Sequence, residues 1–366
     1  MNLIIDAHLD LAYSALSFGR NYHLSSAEIR ALESQMHFAA SPGQCVLGYP
    51  DFRRGGVALV CSTLFASPHR YIEYEDEKIY YRDAHEARVW FEKELKYYAE
   101  LSDSSLGHFR IVRSKAGLKD LFVCWEKSLA HQSENNLPVG IILLLEGAEA
   151  LGDLAELEDY WRQGVRIVGP VWAGIRFCGG TYEHGGFTAE GYRLLEMMAD
   201  LGMILDIAHM TDRSAQQALD KYPGGVIASH ANSRKVLRGE LGERHLTDEV
   251  IKRLAMRDGV IGVIPGNSFL RPGWKRGDDR RLVTLNDLIA HIDHICQIAG
   301  DARHVGIGTD FDGGFGYPAI PLEMQTIADL QKLEPELTQR GYSPEDIAAI
   351  FHGNFRRCLE AYLPEE

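Results

Sequence analysis

In the segment DAHLD, His8 and Asp10 lie two apart, so an extended chain presents both side chains on one side. Glu146 closes the apolar run of LLLEG, and His209 and His230 follow the apolar runs in DIAHM and ASHAN. Asp310 and Asp312 follow the run in GIGTDFDG. Three imidazoles and up to four carboxylates on one rim are the ligand set of a binuclear divalent-metal site, and mixed nitrogen and oxygen ligation makes Zn²⁺ the first candidate. The candidate ligands are His8, Asp10, Glu146, His209 and His230. Glu146 suits the bridge, since a shared carboxylate holds two ions roughly 3.5–4 Å apart, the spacing that activates a water between them. Taken singly, each residue has an ordinary explanation. A histidine at a strand end is more often a hydrogen-bonded structural group than a ligand. An aspartate after a strand is commonly a helix N-cap, which is the plain reading of Asp310 and still more of Asp312. Coincidence carries the inference, because five ligand-type residues at four strand ends exceed what capping explains. Other histidines, among them His23, His37, His69, His85, His108, His131, His291, His294 and His352, fall mostly in helices or insertions and are expected to be structural.

The elements that must bring these residues together are legible as an alternation. Short β-branched apolar runs are predicted as strands at 3–6, 57–62, 141–145, 165–169, 203–207, 226–229, 260–264 and 305–308, separated by segments of helical period. One helix is predicted over 77–101, with Ile79, Trp90, Leu95 and Tyr98 apolar among many charges. Another starts at the N-cap Thr284, carries Asp287 in its first turn and stops at Gly300, and a third opens at Ser343 and Pro344. Eight strand–helix alternations without a Ser/Gly-rich linker favour one distorted (β/α)₈, TIM-like barrel spanning 1–366 over two doubly wound domains. Segments 19–55 and 66–140 exceed ordinary loops and are expected to be insertions on it. In such a barrel the polar residues just after each strand gather at one end, where active sites are built.

Composition narrows the partners. The chain has 366 residues, 45% hydrophobic and 25% charged, which is globular. Asp and Glu number 52 against 38 Lys and Arg, a net charge of −14 that argues against nucleic acid and anionic membrane as partners. MNLIIDAHLD lacks a basic leader, and no apolar run approaches the roughly 20 residues of a spanning helix, so a soluble, cytoplasmic protein is expected. The six scattered cysteines form no CxxC pair and fit a reducing compartment. The sequence leaves the oligomeric state open, a homodimer included.

With DAHLD, LLLEG, GVR, DIAH, SH followed by an Arg, and GIGTDFDG in this order, the chain resembles the membrane (renal) dipeptidase family of zinc peptidases, within the amidohydrolase superfamily. The resemblance runs nearly end to end and includes the closing segment GNFRRCLEAY. It implies a distorted (β/α)₈ barrel with two zinc ions per chain and hydrolysis of dipeptides, often with tolerance of a D-residue at the second position. It further implies that His8 and Asp10 hold the first ion, Glu146 bridges, and His209 and His230 hold the second. Arg244, in RHLTDE, matches the arginine that holds the dipeptide's terminal carboxylate, a task suited to a guanidinium fork. Asp310 matches the acid that passes a proton between the metal-bound water and the leaving amine.

One position departs from the family. Where a histidine usually follows the fourth strand, this chain reads IVGPVW and places Trp172. An indole offers only an N–H donor and a large ring, so stabilisation of the developing oxyanion must come mainly from a zinc ion or another residue. His184, in the YEHGG loop that follows, could reach the same space as a substrate-binding group. The expected function is zinc-dependent hydrolysis of a small dipeptide-like substrate by a hydroxide bridging the ions, with Glu146 and Asp310 as catalytic residues. The alternatives are another binuclear amidohydrolase reaction, on a lactone or an N-acyl amino acid, and a non-catalytic ligand-binding barrel.

Overall fold

The structure, a computed structural model, describes residues 1–36, 43–72, 78–131 and 137–366. Eight strands carry the architecture: β1 (Ile4–Leu9), β2 (Val57–Leu64), β3 (Val139–Glu146), β4 (Val165–Gly169), β5 (Ile204–Asp206), β6 (Val226–Ala228), β7 (Val260–Val263) and β8 (Val305–Ile307). Each pairs in parallel with the next, and β8 pairs with β1 through Asp6 and Ile307, so the sheet closes into a (β/α)₈ barrel. Parallel strands wrapped by helices are buried on both faces, which is why β2 and β3 read VALVCSTL and VGIILLLE with every residue buried.

Alternation within β3 positions the chemistry. Ile141, Leu143 and Leu145 pack in the layer that includes most of the helices, whereas Ile142 and Leu144 join Leu59, Ile167, Ile204 and Ile227 from other strands in the lumen. Glu146 continues the lumenal row, two residues beyond Leu144, and so emerges at the barrel's end. Phe355, Cys358 and Leu359 from the closing helix Asn354–Tyr362 pack into the same lumenal cluster.

The strand positions agree with the expected ones to within a few residues, and β1 runs on to Leu9, so that His8 lies in the strand rather than after it. The helix Leu285–Ala299 begins at a capping box between Thr284 and Asp287 and ends at a left-handed Gly300 with φ 97°. Ser343 caps the helix Pro344–Ala348 as expected. The helix expected over 77–101 instead spans Ala84–Asp103, because Asp83 accepts the Glu86 N–H and sets its start. Ile79 therefore precedes it, next to the short strand Tyr80–Tyr81 that pairs with Ser67–Pro68. Segment 66–140 also contributes the helix Lys115–His131 and the strand Phe109–Ile111, which pairs with the start of β3 on the edge that β4 uses further along. Residues 37–42, 73–77 and 132–136 of the two long segments, with His37 and Glu77, lie outside the described residues. Among those described, no helix is long and apolar enough to cross a membrane.

Two glycines let the strand ends close tightly. A Cβ on Gly262 would stand 2.0 Å from the Ser229 carbonyl oxygen, and one on Gly308 would stand 1.9 Å from it. Both distances are far inside contact, and the obstacle is backbone that cannot swing away. Gly308→Ala should therefore destabilise the protein by about 1–3 kcal/mol, the usual penalty of an overpacked core. Chemical unfolding of the two proteins tests this, and an unchanged midpoint would show that the strand ends have slack.

Candidate metal centre

Glu146 lies at the middle of the site, and its two oxygens face different donors. Oε2 is 3.4 Å from His8 Nε2, which is itself 3.8 Å from Asp10 Oδ1. Oε1 is 3.1 Å from His209 Nε2 and 3.6 Å from His230 Nε2. The two latter nitrogens are 2.8 Å apart. His8, Glu146 and His230 place ligand-type atoms within 4.8 Å of one another, and so do His8, Asp10 and Asp310. The structure thus brings together all five residues expected as ligands, with Asp310 beside the His8–Asp10 half. All are buried, and two strand-exit residues, His209 (φ 67°) and Asp310 (φ 56°), take left-handed backbone conformations that non-glycine residues rarely adopt.

A layer of hydrogen bonds beneath these groups sets which ring nitrogens face the site. The Ser229 hydroxyl donates to Asp206 Oδ2 at 2.5 Å and also lies 3.1 Å from His8 Nδ1 and 2.8 Å from His230 Nδ1. Asp206 accepts further bonds from the Ser229 and Ala208 N–H groups, as an ionised carboxylate does. A hydroxyl has one proton, and Asp206 takes it, so both imidazoles must donate from Nδ1. Their Nε2 atoms then point toward Glu146, the orientation that metal ligation requires, and a metal bound there would displace any proton that Nε2 carries. His209 Nδ1 lies 2.8 Å from the Thr181 hydroxyl, and the Thr63 hydroxyl donates to Asp10. Asp6 receives the Thr309 hydroxyl at 2.5 Å and the His8 N–H at 3.2 Å, tying the end of β1 to the chain after β8.

The electrostatics describe a pocket made for cations. Burial works against charging His8, but Glu146, and after it Asp10 and Asp310, outweigh burial and push its pKa up to about 10. Burial would raise Glu146, yet His8 and then His209 hold it well below the usual carboxylate range. Asp10 is pushed up to about 7 by burial and then by Glu146, and burial lifts Asp310 well above its ordinary value. On the other half, burial and then Arg244 bring His209 down to about 4, and burial and then His8 bring His230 well below the ordinary range. Three carboxylates therefore crowd one imidazole on one side, and two neutral imidazoles face the other. His8 Nε2 is enclosed with no hydrogen-bond partner. A mixed N/O donor set, negative potential and an orphaned ring nitrogen all fit bound divalent ions.

Above these groups lies a cavity of about 480 Å³ lined by Asp10, Glu146, His209 and Asp310 and also by Trp172 and Arg244. Arg244 is buried, donates to the His230 carbonyl at 3.1 Å and lies 5.7 Å from the Phe269 ring centroid, so it is not a surface cation. Trp172 is half-buried, with its ring 5.9 Å from that of His209. His184 is placed differently: it is exposed, outside the cavity lining, and paired with Glu243 at 2.9 Å. Asp312 turns away as well. It accepts from the Val46 N–H at 3.0 Å and faces Arg20 Nη1 at 3.3 Å, fastening segment 19–55 to the rim. Neither Asp310 nor Asp312 caps a helix. Sequence reasoning missed Ser229, Asp206, Thr63 and Thr181, although Ser229 and Asp206 stand in the very strings ASHAN and DIAHM that carry the histidines.

Removing the Ser229 hydroxyl strands two Nδ1–H donors at once. Ser229→Ala should weaken binding of divalent metal by about 10- to 100-fold, the range for losing an outer partner of a ligand. Competition with a chelator measures this, and affinity within twofold of wild type would remove Ser229 from the site's architecture.

Comparison with known proteins places the chain. The description of the membrane dipeptidase family (peptidase family M19) matches residues 2–363. A protein from the pqqA 5′ region of Klebsiella pneumoniae is 28% identical over 278 residues, covering 73% of this chain and 94% of that protein. An uncharacterised dipeptidase of Schizosaccharomyces pombe is 34% identical over 206 residues, 54% of this chain and 46% of its own length. Among solved structures, a metallopeptidase from Rhodobacter sphaeroides bound to a phosphinate mimic of the dipeptide L-Ala-D-Ala superposes with a TM-score of 0.78 at 22% identity, covering 99% of this chain and 100% of that one. The probable dipeptidase PvdM from Pseudomonas aeruginosa gives 0.74 at 19% identity over 98% and 95%. These two likenesses establish the fold, and the match along nearly the whole sequence establishes the rest: the chain belongs to the membrane dipeptidase family, whose members are metal-dependent hydrolases.

Proposed function

We propose that the whole chain, 1–366, works as one zinc-dependent dipeptidase. The observation that carries this reading is the placement of Glu146, with one oxygen toward His8 and Asp10 and the other toward His209 and His230, beneath a cavity that holds a buried arginine. His8, Asp10 and Glu146 would hold one zinc ion and Glu146, His209 and His230 a second. Bound there, zinc supplies an activated water and a Lewis acid for the scissile carbonyl.

The remaining steps belong to the protein. Arg244 forks onto the terminal carboxylate and sets the register of the substrate over Glu146, which is the work of orientation. Its burial strengthens that charged contact by excluding water. Asp310, on the cavity wall and beside the ligand atoms of His8 and Asp10, takes the proton lost by the water and delivers it to the leaving amine. Trp172 lines the substrate space, and His184, through Glu243, steadies the turn that carries Arg244 instead of touching substrate. The L-Ala-D-Ala mimic bound by the Rhodobacter relative supports a dipeptide-like substrate and a D-residue at its second position. A cytoplasmic site of action and a homodimer complete the proposal.

Zinc-loaded protein should hydrolyse L-Ala-L-Ala or L-Ala-D-Ala and leave lactones and N-acyl amino acids untouched. Arg244→Ala should lower kcat/KM for free dipeptides by about 1.5–3 kcal/mol, the scale of a hydrogen bond to a charged group. Amidated dipeptides lack the carboxylate and should register little change. Equal losses on both substrates would make Arg244 a structural residue.

A further inference from the structure

One wall of the cavity is a continuous run of aromatic rings. Phe65 meets Trp172 edge-on at 5.3 Å between ring centroids, Trp172 meets Tyr182 at 5.4 Å, and Tyr182 stacks on Tyr71 at 4.5 Å and 15°. The run starts next to His209, 5.9 Å from Trp172, and climbs to the mouth, where Tyr182 is 43% exposed. All four rings line the cavity.

The wall is braced from behind. Phe65 and Tyr71 follow β2, whereas Trp172 and Tyr182 follow β4, so the rings come from two loops. Arg70 joins the loops by donating from Nε to Glu183 at 2.7 Å, and the Tyr71 hydroxyl donates to the same carboxylate oxygen at 3.0 Å. At the other end the Phe65 N–H is held by the buried Glu94 at 2.8 Å. A ligand therefore meets a surface whose shape is already set, which reduces the ordering cost of binding.

We infer that this wall is the specificity subsite of the proposed dipeptidase, and that it selects a dipeptide bearing a flat aromatic side chain. The inference rests on the dipeptidase reading and adds to it the class of side chain. Rings left facing a water-filled cavity gain most when another apolar surface covers them, and aromatic partners add favourable edge-to-face or offset geometry. A cage of rings could also hold a cation. Here the Arg70 guanidinium, paired with Glu183, already lies over the Tyr71 ring at 5.1 Å from its centroid, so that ring already has a cation. The position of Trp172 beside His209 places the subsite within reach of the reacting bond, so selectivity should appear in kcat/KM.

The test measures kcat/KM for zinc-loaded protein on the series X-Ala and Ala-X, with X as Ala, Leu, Phe, Trp and Lys. Phe or Trp should exceed Ala at least tenfold in one series, with Lys no better than Ala. Trp172→Ala and Tyr182→Ala should each bring that ratio below threefold, and Glu183→Gln, which loosens the brace, should lower it chiefly through KM. Ratios within threefold in both wild-type series, a preference for Lys, or a ratio that survives both ring deletions would overturn the inference while leaving a dipeptidase that cleaves Ala-Ala. If no dipeptide is cleaved, the dipeptidase reading fails, and calorimetric titration with phosphinate mimics of Ala-Ala, Phe-Ala and Ala-Phe decides the subsite separately. A tenfold tighter aromatic mimic would sustain it, and equal or absent binding would remove it.

Discussion

A single buried carboxylate facing imidazoles in two directions is the constraint around which this molecule is arranged. Glu146 must stay ionised in a place where burial alone would protonate it, and the nearby histidines hold it so. Its location follows from strand alternation, which carries the row Ile142, Leu144, Glu146 up the inside of β3 to the open end. The other four candidate ligands arrive from three further strands, His8 and Asp10 from β1, His209 after β5 and His230 after β6, so only a closed barrel brings them to that one carboxylate.

The imidazoles depend in turn on groups that never touch a substrate. One serine hydroxyl, charged with a single proton and three neighbours, sets the tautomers of His8 and His230 together. Ser229 can occupy that place because Gly262 in the adjacent β7 and Gly308 after β8 leave room for its carbonyl. Packing and proton placement therefore meet at one residue: a methyl group at either glycine would press on the carbonyl of the serine whose hydroxyl orients two donors, one on each side of Glu146.

Much of this was legible in the sequence, for a physical reason. Strands buried on both faces spell unbroken apolar runs such as VGIILLLE, and a barrel delivers the residues at their ends to one rim, so His8, Asp10, Glu146, His209 and His230 could be named together. What pattern cannot show is where a side chain turns once it leaves the strand. Asp310 and Asp312 are near neighbours in GTDFDG, yet the first faces the cavity and the second binds Val46 and Arg20. His184 sits in a loop that could have reached the substrate space, but Glu243 holds it at the rim. The aromatic wall was invisible because Tyr71 and Tyr182 come from separate loops whose meeting depends on an Arg70–Glu183 pair with no local signature. The early start expected for the helix at 84–103 shows the same limit: apolar period extends past the residue, Asp83, whose cap decides the boundary.

The central claim is that Glu146 is shared by two metal sites, and anomalous diffraction from crystals of the zinc-loaded protein tests it most directly. The account predicts two zinc peaks per chain about 3.5–4 Å apart, the spacing of a bridged pair. One peak should lie among His8, Asp10 and Glu146 Oε2, and the other among His209, His230 and Glu146 Oε1. A single peak at saturating zinc, or two peaks of which only one contacts Glu146, would contradict it.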